Sequence, residues 1–157
     1  MTYIRNQAWY IPDKLIFAAA GGEGQPELLV AFLNDLNAMV ESSPLPFVHI
    51  ILDYQYLTKS LTLAQIAKVS SQFKPHERAG WAILINEPTS LLRMFTGVAL
   101  QWMRVRQRSL PTLEAAEQFL ATVDELDWSQ ADPQAVTRVL HDVKSRLDAL
   151  HSVTHEG

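Results

Sequence analysis

The chain has 157 residues, 48% hydrophobic and 19% charged, with a formal net charge of -4 and no cysteine. That length buries one substantial core but is short for two full domains, and the acidic balance argues against a general nucleic-acid binder. Without a thiol there is no disulfide, no thiolate zinc site and no cysteine nucleophile. Arg5 and Asn6 stand where a signal peptide needs an apolar core, and no run approaches the length of a membrane span, so the expected location is the cytoplasm.

Ala8 to Tyr10 and Lys14 to Ala20, joined by Ile11-Pro12-Asp13, read as an antiparallel hairpin, because Pro-Asp initiates turns and both flanks are aromatic or β-branched. Gly21, Gly22 and Gly24 read as a flexible strand-to-helix turn; the Walker lysine and the spacing of a dinucleotide fingerprint are both missing. Pro26 suits a first helical turn, and Leu28, Leu29, Phe32, Leu33, Leu36, Met39 and Val40 recur with helical period to about Ser42. Phe47 to Leu52 is a nearly continuous apolar run, as a strand covered on both faces requires, and Asp53 closes it.

A loop is predicted over 54–61. Thr62 followed by Gln65 is a capping box for a second helix to about Phe73, and Trp81 to Ile85 is another buried strand. Ser90 caps a helix whose apolar content, Leu91, Leu92, Met94, Phe95, Val98 and Trp102 among it, exceeds what one sheet face can cover. Arg104 to Arg108 is the last strand, and Thr112 caps a helix that reaches about Trp128, with Glu114 in its first turn. Asp132-Pro133 opens a C-terminal helix in which Val136, Leu140, Val143, Leu147 and Leu150 form one apolar seam. Such a seam either packs back on its own domain or joins a two-fold partner; a homodimer is the expectation. The reading is therefore an α/β domain over 1–128, a C-terminal amphipathic helix over 129–151 and a frayed tail over 152–157.

Asp53, Thr58, Ser60 and Thr62 fall at the carboxyl end of a central strand, the edge of open α/β sheets where ligands bind, and a hydroxyl at a helix start would meet an anion or receive a phosphate. Each also has a plainer role as helix cap or strand-end turn residue. Arg104, Arg106 and Arg108 alternate onto one strand face; they protect an edge strand, or they meet an anionic membrane surface or an acidic partner, with Arg108 best placed. The densely apolar 90–103 helix lines either the interior or a pocket or partner surface. His49, between Val48 and Ile50, reads as a satisfied core or edge histidine, and His151 and His155 lie in a segment expected to fray. No catalytic constellation, metal site or cofactor motif is expected.

The order Ile50-Ile51-Leu52-Asp53, then Arg78-Ala79-Gly80-Trp81 leading a strand, then Thr112-Leu113-Glu114-Ala115-Ala116-Glu117-Gln118-Phe119-Leu120 resembles the SpoIIAA-like branch of the STAS superfamily, over roughly residues 3 to 125. The resemblance implies a four- or five-stranded mixed sheet packed with helices, no catalysis, and a regulatory role in binding proteins or small apolar ligands. In the phosphorylated antagonists of that family an Asp-Ser-Ser-Gly turn carries the acceptor serine; here the region reads Ser60-Leu61-Thr62-Leu63-Ala64, and the acceptor position falls on Leu63. Two functions are carried forward: a non-enzymatic module acting by protein-protein contact, and a carrier or sensor of an apolar molecule or lipid covered by the 90–103 helix.

Overall fold

A computed structural model of the chain describes residues 3–86 and 106–155. Pro12 and Asp13 turn the chain between β1 (Tyr3–Ile11) and β2 (Leu15–Glu23); Asp13 takes the left-handed conformation at φ 62°, and the Lys14 N–H closes the turn on the Ile11 carbonyl at 3.1 Å. The expected hairpin is there, and longer at both ends. β2 is followed by α1 (Pro26–Ser42), β3 (Val48–Lys59), α2 (Leu63–Gln72), β4 (Ala79–Ile85), β5 (Arg106–Leu110), α3 (Leu113–Val123), a 3-10 turn at Trp128–Gln130 and α4 (Pro133–His155).

The five strands form one mixed sheet in the order β1-β2-β3-β4-β5, with β1 antiparallel to β2 and every later pair parallel. The crossovers through α1 and α2 step across the sheet in the same direction, so both helices lie on one face. There Phe32, Leu36, Val40, Ile66 and Val69 pack on Ile16, Ala18, Leu52 and Leu84. The opposite face is closed by α3 and α4, which bring Ala116, Leu120, Val139 and Val143 onto Phe17, Ala19, Ile51, Ile83 and Ile85. Strand residues alternate between the two clusters, as the two-residue period demands.

The local stop and start signals act as read. Pro26 opens α1, Thr62 and Gln65 exchange both bonds of the capping box at 3.2 and 2.9 Å, the Ala115 N–H reaches Thr112 Oγ1 at 3.1 Å, and the Gln134 N–H reaches Asp132 Oδ1 at 3.1 Å. Arg78, at the entry to β4, donates to the carbonyls of Glu41 and Leu45, each at 3.0 Å, and of Ser43, satisfying the end of α1 and the turn beyond it.

Three expectations are corrected. The loop over 54–61 is strand as far as Lys59, because Tyr54, Tyr56, Leu57 and Thr58 favour extended backbone and β2 lengthens to pair with them: Gly21 opposes Tyr56 and Gly22 opposes Leu57. Gly21 and Gly22 are thus strand residues, not a turn. A Cβ on Gly21 would lie 2.6 Å from Leu147 Cδ1 and 2.8 Å from Tyr56 Cβ, so glycine is what lets α4 approach β2. Second, α3 ends at Val123, short of Trp128, and α4 continues through His155, past the expected fray at 152. Third, the α4 seam is used inside the subunit: Val136, Val143 and Leu147 are buried and Leu140 packs beside them, all against β1, β2 and α3, with Leu150 half-buried. Periodicity identifies a face to be buried without naming its partner, and the partner is the face of β1 and β2 left open by α1.

The predicted helix over 90–103, with Leu91, Leu92, Met94, Phe95, Val98 and Trp102, and Arg104 after it, lie outside the described residues.

Candidate functional site

The residues placed together at the carboxyl edge separate in space. β4 stops at Ile85, which pairs with Asp53, while β3 runs on to Lys59; Asp53 therefore lies within β3 and Thr58, Ser60 and Thr62 at its far tip. Asp53 is 2% exposed, on the α3/α4 side of the sheet with Ile51 and Ile85. Its carboxylate accepts from the Gln55 N–H at 2.9 Å and from the side-chain amides of Gln55 and Asn86, each at 3.0 Å. Burial pushes its pKa above the ordinary carboxylate value, and the three donors pull against that shift. Asn86 sits at φ 53°, a left-handed position that asparagine tolerates. Asp53 thus holds Asn86 at the end of β4.

Thr58 and Thr62 are exposed and Ser60 is half-buried. The Thr62 hydroxyl oxygen is occupied by the Gln65 N–H, so capping is its structural role, and the exposed side of the residue faces solvent. Aspartate caps as well as threonine and suits the positive end of a helix. Thr62→Asp is therefore expected to unfold in urea within about 0.5 kcal/mol of wild type; a larger loss would show that the hydroxyl does more than cap. Next to it Leu63 is 51% exposed, and Leu28 in the first turn of α1 is 37% exposed. The first turn of α1 is linked to the middle of α2 by the Lys68–Glu27 pair at 2.7 Å, and its approach to the end of β3 by the Gly24 N–H on the Lys59 carbonyl at 2.8 Å.

β5 borders the described sheet, and Arg106 and Arg108 share one of its faces, as alternation requires. The Arg108 guanidinium lies 4.7 Å from the centroid of Phe119, which meets Trp81 edge-on at 5.0 Å; Arg106 lies 5.7 Å from the ring of Phe47. Arg108 is thus stacked on an aromatic side chain of α3, beyond the helix start where an anion would sit.

His49, read from sequence as a satisfied histidine, is 4% exposed and bonded at both ring nitrogens. The Trp81 N–H donates to Nδ1 at 3.0 Å, so the neutral ring carries its hydrogen on Nε2 and donates it to Asp124 Oδ2 at 2.9 Å. Lys14 Nζ reaches the same oxygen at 3.0 Å. Burial is the largest influence on His49 and lowers its pKa; Asp124 opposes this, while Lys14 and Arg106 reinforce it. Burial raises Asp124, yet the bonds from His49 and Lys14 outweigh it and hold this carboxyl below its ordinary value. In the unfolded chain a histidine titrates near about 6.5. Between that pH and the lower folded value the unfolded chain takes up a proton that the folded protein refuses, so stability is full above about pH 7 and falls on acidification. His49→Gln retains a donor and an acceptor, and is expected to flatten urea-unfolding free energy between about pH 7 and 5; an unchanged slope would assign it to other groups.

Sequence reasoning missed Lys14 and Asp124 as neighbours of His49, because nothing local links them. Among the described residues no three His, Cys, Asp or Glu side chains gather to hold a metal ion, and no helix is long and apolar enough to cross a membrane. An apolar cavity of about 40 Å³ between α1 and β4, lined by Leu33, Leu36, Ile50, Phe73 and Ala82, has room for little more than one water-sized group. In comparisons with known proteins, no family model and no curated protein matches the chain.

Proposed function

We propose that this α/β protein is a non-enzymatic cytoplasmic regulatory module of the SpoIIAA-like STAS kind, acting through contact between the tip of β3 with the start of α2 and a partner protein. The observation that carries the reading is the exposure of Leu63 and Leu28 in the first turns of two helices that Lys68–Glu27 links, with Thr58 and Thr62 exposed at the tip of β3 and the start of α2. A surface with solvent-facing leucines and threonines suits docking that a phosphate would switch. The apolar-carrier reading depends on the 90–103 helix, since the 40 Å³ cavity is far below the roughly 300–1,000 Å³ of ligand pockets.

A photo-crosslinking residue placed at Leu63, with a control at exposed Lys144 on α4, tests the proposal in cells. One discrete protein adduct from position 63, absent from position 144 and diminished by Thr62→Asp, is the expected result. Equal adducts from both positions, or none from 63, would overturn it. A lipid retained through native mass spectrometry of the purified protein would transfer the case to the carrier reading.

A further inference from the structure

At the opposite end of the sheet from Thr62, the end of β1, the outer face of α3, the 3-10 turn and the start of α4 line a wide, open groove of about 460 Å³. Its walls are Tyr10, Glu117, Gln118, Trp128, Ala131 and Pro133. Tyr10 is 5% exposed and donates its hydroxyl to Glu117 Oε1, while Trp128 meets the Tyr10 ring edge-on at 6.4 Å and remains half-exposed. Burial and the adjoining carboxylate raise the Tyr10 pKa, which keeps the phenol protonated as a donor.

Glu117 is the informative group. It is half-buried, one oxygen is held by Tyr10, and among the described residues no lysine or arginine pairs with it. The shortage of cations is built into the segment: residues 112–132 contain Glu114, Glu117, Asp124, Glu125, Asp127 and Asp132 and not one Lys, Arg or His. The other nearby acids are already engaged, Asp132 with Arg138 at 3.2 Å and Asp127 with Ser129, so Glu117 is the carboxylate available inside the groove. A carboxylate with no cationic partner among the described residues, beside a tryptophan and a tyrosine, supplies the two attractions an organic cation uses, charge pairing and the π face of an aromatic ring. Ala131 and Pro133 supply apolar wall for its carbon stem.

We infer that this groove binds an alkylammonium or alkylguanidinium group, with Glu117 pairing the charge and Trp128 and Tyr10 flanking it. The test uses the full chain labelled with ¹⁵N and titrates n-butylguanidinium and n-butylammonium, with 1-butanol as the neutral control and hexa-arginine as the macromolecular source of the same chemistry. The expected result is a saturable shift of the Trp128 indole N–H with both cations, weakened by added salt and absent with butanol. Glu117→Gln keeps an acceptor for the Tyr10 hydroxyl and removes only the charge; with Trp128→Leu it should weaken binding about tenfold or more. Should Trp128→Leu disturb folding, Glu117→Gln decides alone. Hexa-arginine binding more than sixfold tighter than butylguanidinium, beyond its statistical advantage, assigns the groove to a basic segment of a partner, and equal or lesser affinity assigns it to a free organic cation. Butanol binding as well as the cations, no saturable shift in the millimolar range, or unaltered affinity in Glu117→Gln overturns the inference.

Discussion

Gly80→Ala is expected to be among the most damaging single methyl additions in this protein, costing about 2–4 kcal/mol. The new Cβ would lie 2.4 Å from His49 Nδ1 and 2.7 Å from Cε1, closer than such contacts occur, so one group must move. The ring is poorly able to do so. Its Nε2 is held by Asp124, itself held by Lys14, and its Nδ1 is the acceptor for Trp81 at a point where the β3–β4 ladder is irregular: Val48 pairs with Ala79 and Ile50 with Ala82, so Gly80 and Trp81 together oppose His49. The imidazole takes the place of a backbone carbonyl at this bulge. Moving it leaves a buried N–H without a partner and strains the pair with Asp124. Thermal unfolding should fall by roughly 5–15 °C. Adding His49→Ala to Gly80→Ala should cost less than the sum of the separate losses, because the clash then has no ring to meet. A loss below about 0.5 kcal/mol in Gly80→Ala would show that the ring is free to move and would end this account of the bulge.

Deleting Asp132 to Gly157 should abolish cooperative folding. Val136, Val139, Val143 and Leu147 are each at most 8% exposed, and burying a side chain of this kind contributes about 1.5–3 kcal/mol. Together they rival the about 5–15 kcal/mol by which a whole domain is stable. Removing them also uncovers Phe17 and Ala19 and the neighbouring face of β1. Circular dichroism should show a gradual urea response with no sharp midpoint, and Val143→Asp in the full chain should shift in the same direction. A truncated chain that unfolds cooperatively, with its mass in solution halved relative to wild type, would instead make α4 an element of assembly.

The signals that could be read locally were those whose partners are local. Thr62 with Gln65, Thr112 with Ala115, Asp132 with Gln134 and Pro26 at the start of α1 all act within one helical turn, and composition plus spacing reveals them. The mixed sheet was legible for the same reason, as apolar runs separated by helical periods. Strand length was not: whether Tyr54 to Lys59 pairs depends on β2 extending through Gly21 and Gly22, two residues that read as breakers. The site was least legible. His49 and Asp124 are 75 positions apart and Tyr10 and Glu117 are 107 apart, and no periodicity relates them. Thr58, Ser60 and Thr62 were rightly grouped, whereas Asp53 was joined to them on the assumption that β3 ended with it.

The closure of the two sheet faces by different parts of the chain sets an order in time as the protein is synthesised. By residue 85 the ribosome has delivered β1 to β4 with α1 and α2, enough to seal one side. The other side, carrying Phe17, Ile51, Ile83 and Ile85, lacks the cover of α3 and α4 until those helices have emerged. Nascent chains stalled before Val143 would expose this sticky half-sheet and be candidates for chaperone capture, and their release should coincide with the appearance of the final helix.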